Sequence, residues 1–146
     1  MRQITCDEVY RLEECLKALA EHHNEVSVNF KGSFPKKPVS ETLAAFEKAL
    51  ADGSSKIAVI EDNDRIAGFC KTDLSGTQGS VDYLIVLKEY RGSGYGGQLM
   101  DWALDTLRKD GAARIEIKVV DGNDAKAFYE KYGFRTVSQI LRTDIG

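Results

Sequence analysis

The spacing of apolar residues changes repeatedly along the chain, and each change marks an element. Thr5 and Glu8 stand in a capping-box arrangement, and Val9, Leu12, Cys15, Leu16 and Leu19 then recur at three- and four-residue intervals. That spacing predicts a helix to about His22. Between residues 23 and 39 the period is lost and Gly32, Pro35 and Pro38 interrupt the run, which predicts a loop. Ser40 stands where it can cap a second helix, with Leu43, Phe46 and Leu50 on its apolar side and Asp52-Gly53 at its end.

The period then shortens. Residues 56–61 and 65–71 are short runs rich in Ile, Val and Phe around Asp62-Asn63-Asp64, and they predict a hairpin. Residues 74–80, rich in Gly, Ser and Thr, read as a turn leading into a strand over residues 81–87. In that strand Val81, Tyr83, Ile85 and Leu87 alternate with Asp82, Leu84 and Val86, so both faces are largely apolar and the strand should be central. Helical spacing returns over residues 98–109, where Met100, Ala103, Leu104 and Leu107 form one stripe before Asp110-Gly111. Residues 114–120 alternate once more. A strand-helix-strand crossover of this kind implies a parallel pair. Asn123 can cap a short helix containing Ala125, Phe128 and Tyr129 and closed by Gly133, and Phe134 opens a last strand through about Arg142. With no repeat or linker, residues 1–146 read as one α/β (α+β) domain.

The stretch that carries chemistry is Arg91-Gly92-Ser93-Gly94-Tyr95-Gly96-Gly97, set between a strand and a helix. Glycines let the backbone turn sharply and approach a ligand, and the following helix aims unpaired N–H groups and partial positive charge at an anion there. Gly92, Gly94 and Gly97 also satisfy the dinucleotide pattern G-x-G-x-x-G, but too little chain follows for the βα units that fold requires. Gly92 and Gly97 fit the first half of a Walker A loop, yet Gln98 and Leu99 replace its Lys and Ser/Thr.

At 42% apolar content the chain can bury one core, and its net charge of −3 and pI near 5.4 argue against a nucleic-acid partner. Cys6, Cys15 and Cys70 lack CxxC or metal spacing and read as buried thiols of a reducing compartment. The N-terminus has no apolar signal core and no long apolar run follows. The expectation is a cytoplasmic protein with no membrane partner and no metal.

Two stretches resemble the GNAT superfamily of acetyl-CoA-dependent N-acetyltransferases. Lys88-Glu89-Tyr90-Arg91-Gly92-Ser93-Gly94-Tyr95-Gly96 is similar to its pyrophosphate loop, Arg/Gln-x-x-Gly-x-Gly/Ala, and residues 125–134 (AKAFYEKYGF) to its second cofactor motif. With the hairpin ending Ile66-Ala67-Gly68-Phe69, the likeness spans roughly residues 55–142. The resemblance implies a mixed, mostly antiparallel sheet of about seven strands, flanked by helices on both faces. Acetyl-CoA would lie between two splayed parallel central strands, here residues 81–87 and 114–120.

It implies further that Leu84, Ile85 and Val86 meet the pantetheine arm and that Arg91, Gly92, Ser93, Gly94, Tyr95, Gly96 and Gly97 take the diphosphate. Phe128 and Asn123 join the cofactor site, although Asn123 precedes Tyr129 by six positions where the family commonly has seven. Tyr129 stands at the general-acid position. Asp82 could bind a substrate ammonium or relay its proton through water, or form a structural ion pair. The activity implied is direct acetyl transfer from acetyl-CoA to a primary amine of a small molecule or peptide, and a homodimer is a family-level expectation. A non-catalytic acyl-CoA-binding module is the alternative. The acceptor pocket is expected from residues 23–39 and 74–80, and His22 and His23 either end the first helix or line the acceptor side. Cys70 reads as core, without a base to make it a nucleophile.

Overall fold

The computed structural model describes residues 1–27, 32, 37–118, 125–143 and 145. Within these the order is β1 (Arg2–Gln3), a 3-10 helix (Cys6–Leu12), α1 (Glu13–Val26), α2 (Val39–Asp52), β2 (Ser55–Asp62), β3 (Arg65–Ser75) and β4 (Gln78–Val86). A 3-10 turn (Lys88–Tyr90), α3 (Tyr95–Lys109), β5 (Arg114–Glu116) and α4 (Lys126–Glu130) follow.

The strands form one sheet in sequence order, antiparallel except for the parallel β4–β5 pair. Two-residue turns fix its register: Asn63-Asp64, with Asn63 at φ 57°, and Gly76-Thr77, with Gly76 at φ 61°. Phe46, Ile57, Phe69 and Ile85 pack with Val9 and Leu12 on one face, and Cys70, Val81, Val86, Leu99, Met100 and Leu107 on the other. The first helices therefore cover one face, and α3 with α4 the opposite one.

Several boundaries differ from the sequence expectation. The Thr5–Glu8 capping box does not form, since Thr5 makes no side-chain cap and Glu8 binds Arg2 and Arg11. A charge-assisted bond to arginine outcompetes a backbone N–H for that carboxylate. The opening stretch is consequently a 3-10 helix, and α1 runs past His22 to Val26. Pro38, with no N–H to satisfy, takes the N-cap place expected of Ser40. Residues 74–80 are mostly strand, because Gly79 lets Leu107 and Ala112 pack where a Cβ would stand 3.1 Å from Leu107.

The simple alternation expected in β4 also fails. Lys71 pairs with Tyr83 and Thr72 with Val81, leaving Asp82 as the extra residue of a β-bulge. The bulge switches Val81 to the α3 face with Leu84 and Val86, while Tyr83, Ile85 and Leu87 stay on the α1–α2 face. No strand occupies residues 134–143, where Val137, Ile140 and Leu141 are exposed. Their apolar positions do not repeat every second residue, so no single face of that segment would be buried. The parallel pair thus lies at one edge of the described sheet, which has five strands where about seven were expected.

Candidate acetyl donor cleft

The parallel pairing is short. Among the described residues it joins Gln78–Arg114, Gly79–Ile115 and Ser80–Glu116 and then stops, leaving β4 from Val81 onward bonded there only to β3. Leu87 N–H donates to the carbonyl of Ala67 at 2.8 Å, so Leu87, Ile85 and Tyr83 direct their backbone groups to β3. The backbone groups of Leu84 and Val86 face the open edge. A cleft of about 440 Å³ lies along that edge, with Val81, Leu84 and Val86 on one side and Lys118, Ala125, Phe128 and Tyr129 on the other.

At one end the cleft meets the glycine turn. Gly92 and Gly94 adopt φ 87° and 84°, left-handed conformations that favour glycine, and nothing lies within 4 Å of either Cβ position. Helix α3 begins at Tyr95, three residues earlier than expected, so Gly96 and Gly97 belong to its first turn. Their smallness serves packing: a Cβ at Gly97 would stand 3.3 Å from the Tyr132 hydroxyl, and one at Gly96 3.8 Å from the Phe128 ring.

The bond from Gln98 N–H to the Gly94 carbonyl leaves the N–H groups of Tyr95, Gly96 and Gly97 without intrahelical partners. No side chain caps this end and no acidic residue stands in the first turn. The bare amides and the helix dipole form a cradle for an anion. Arg91 adds charge to it, with Nε donating to the Val86 carbonyl at 3.0 Å and no ion pair among the described residues.

Behind the turn, Tyr90 stacks with Tyr95 at 6.4 Å and donates its hydroxyl to Asp62 at 2.9 Å. Arg65 fastens the same turn to α1, binding Glu89 at 3.0 Å and Glu14 at 2.7 Å. Both tethers reach from the tip of the β2–β3 hairpin.

Tyr129 sits in the α4 wall, its ring edge-on to Phe128 at 5.4 Å and to Phe134 at 6.3 Å. Burial foremost, and then the neighbouring Cys70, push the Tyr129 phenol above its ordinary pKa, so it is protonated at neutral pH. Asp82 lies exposed on the cleft at the bulge, with Leu19, His22 and His23 of α1 also lining it. Burial pushes the Cys70 thiol up to about 12, which keeps it neutral and unreactive at physiological pH. Cys15 is buried likewise, but Cys6 is partly exposed, so the reading of three buried thiols holds for two.

The cleft brings together the expected Asp82, Leu84, Ile85, Val86, Arg91, Gly92, Gly94, Tyr95, Gly96, Gly97, Phe128 and Tyr129. Ser93 is exposed beside the turn and does not line it, and Asn123 lies outside the described residues. Of the two stretches expected to form the acceptor pocket, residues 74–80 lie away from the cleft, and most of residues 28–36 lie outside the described residues. Tyr90, which stands in the loop motif without an expected role, and Lys118, legible only as a polar position in an alternating run, also line the cleft.

Comparison with known proteins bears on the family and the fold. N-alpha-acetyltransferase 30 of Schizosaccharomyces pombe is 38% identical over 87 residues, 56% of this chain and 58% of the relative. The [ribosomal protein bS18]-alanine N-acetyltransferase of Haemophilus influenzae is 31% identical over 78 residues, 52% of each. The chain spans about half the length of these relatives. In fold it is similar to a predicted acetyltransferase of Clostridium acetobutylicum solved with acetyl-CoA, at TM-score 0.77 and 16% identity over 98% of this chain and 94% of that one. A family model described as an acetyltransferase (GNAT) domain matches residues 12–144, and the chain belongs to that family.

Proposed function

We propose that the chain transfers an acetyl group from acetyl-CoA to a primary amine of a small molecule or peptide, by direct attack in a ternary complex. The observation that carries this reading is the continuity of one cleft from an uncapped glycine-rich helix start, along an unpaired strand edge, to a protonated phenol.

Acetyl-CoA supplies a thioester whose acyl carbon the amine attacks. The amides of Tyr95, Gly96 and Gly97 would hold the diphosphate, and Leu84 and Val86 would bond the pantetheine amides as a neighbouring strand does. Alternation gives that role to these two and turns the Ile85 backbone toward β3, narrowing the expectation for residues 84–86. As the C–N bond forms and the C–S bond breaks, a backbone N–H of this outer edge, around Val86, would meet the developing oxyanion. Tyr129 hydrogen-bonds the departing sulfur and delivers its proton, and the amine's surplus proton leaves through water. Asp82, an exposed carboxylate at the cleft mouth, would serve as a ligand for the substrate ammonium or relay its proton through water.

The acceptor enters at the end lined by Leu19, His22, His23 and Asp82. Since one relative is named an N-alpha-acetyltransferase and another a ribosomal-protein-alanine N-acetyltransferase, peptide α-amines head the test panel. A reducing cytoplasmic setting fits the two buried free thiols. Thiol release from acetyl-CoA, followed across peptide N-termini, lysine side chains and small amines, should rise above hydrolysis for one class. Binding of acetyl-CoA without turnover on any amine would favour the non-catalytic module, and no binding would end the reading.

A further inference from the structure

Arg91 occupies the junction of the two parts of the cleft. Its Nε donates to the carbonyl of Val86, the last residue of β4, at 3.0 Å. That carbonyl faces the open edge, where the strand has no partner beyond Ser80 among the described residues. Arg91 also lines the cleft with Gly92 and Gly94, and its guanidinium has no carboxylate partner among the described residues. Arginine has five N–H donors in a rigid fork, so binding through Nε leaves the Nη groups available to an anion.

We propose that Arg91 is a positioning residue for the acyl-pantetheine arm as well as a ligand of the diphosphate: it fastens the glycine turn to the open edge of β4. This rests on the donor reading above. The Nε bond occupies the Val86 carbonyl and holds the end of β4, so the outward N–H of Val86 and the groups of Leu84 are presented at fixed spacing from the anion cradle. A residue that served the anion alone would be indifferent to ligands without a diphosphate.

That difference is measurable with coenzyme A and pantetheine, which share the amide arm while only the former carries the anion. Glutamine places Nε2 as many bonds from Cα as arginine places Nε, so Arg91→Gln retains a donor for Val86 without the charge. Arg91→Met loses both. Calorimetry should show coenzyme A bound more weakly by both variants. Pantetheine should be bound about three- to tenfold more weakly by Arg91→Met, the loss expected for one hydrogen bond. Arg91→Gln should restore most of that loss. Turnover of S-acetylpantetheine should follow the same order.

If Arg91→Met binds pantetheine and turns over S-acetylpantetheine as the unaltered protein does, while losing coenzyme A affinity, the fastening role is wrong and only the anion role survives. Should Arg91→Met misfold, Arg91→Lys takes its place, since it keeps charge but lacks a donor at the Nε position. Failure of the unaltered protein to bind coenzyme A would instead remove the donor reading itself.

Discussion

The two halves of β4 are bonded differently, and the contrast explains how one strand serves both the fold and the site. Among the described residues Gln78–Ser80 are paired on both edges, to β3 and to β5, whereas Val81 and Tyr83–Val86 are paired to β3 alone. The bulge at Asp82 falls at the change. Unpaired backbone groups in a buried strand are costly, and here they open onto a cleft where solvent or a ligand can satisfy them. The inner edge and the buried side chains of Ile85 and Phe69 hold the strand in place, so the outer edge can be given over to binding. The difference implies that stability and activity are separable along β4, and substitutions on its two sides test that.

The largest effect is expected on the core side. Phe69 is fully buried, stacked on Tyr83 at 6.4 Å and edge-on to Phe46 at 6.3 Å, so Phe69→Ala should cost about 3–5 kcal/mol in urea denaturation. The folded fraction should keep its coenzyme A affinity. A loss of affinity without loss of stability would show that the two sides are not separable.

On the cleft side, Tyr129→Phe removes only a hydroxyl. Turnover should fall by roughly 100-fold, the scale of general-acid catalysis, while the denaturation midpoint moves little and acetyl-CoA still binds. Equal turnover would take Tyr129 out of the chemistry, and a large stability loss would make it a core residue.

A smaller and slower effect concerns pH. Burial raises the Cys15 and Cys70 thiols to about 12, above the unfolded value near 9, so the folded state retains protons that the unfolded chain gives up. Their stabilising contribution is complete below about pH 9 and is lost as pH rises toward 12. Denaturation between pH 8 and 11 should show falling stability, and replacing both residues by alanine should flatten that slope. At pH 8 a thiol reagent should titrate Cys6 quickly and the other two only as the protein unfolds.

Much of this was legible along the chain. The hairpin at Asp62-Asn63-Asp64, the crossover into a parallel pair and the anion turn followed from period changes and from glycine. The boundaries that failed were settled by competition from elsewhere in the fold. Arg2 took the Glu8 carboxylate from the helix cap, and Gly79 became strand because Leu107 needed its space. The bulge at Asp82 left no mark in the sequence, since a period of two cannot reveal an extra residue when both faces are apolar. Tyr90 stood in the loop motif, but its tethers to Asp62 and Arg65 come from a distant hairpin tip that folds against it.

By itself the sequence determined the local chemistry: which segments are helical or extended, where the backbone must take left-handed turns, and which groups can carry charge or a proton. These depend on neighbours a few residues away. Only the tertiary structure decided where β4 and β5 part, which β4 amides remain free, and that Arg91 reaches back to Val86. Such features arise from hydrogen bonds and packing between segments far apart in the chain, and no local pattern encodes them.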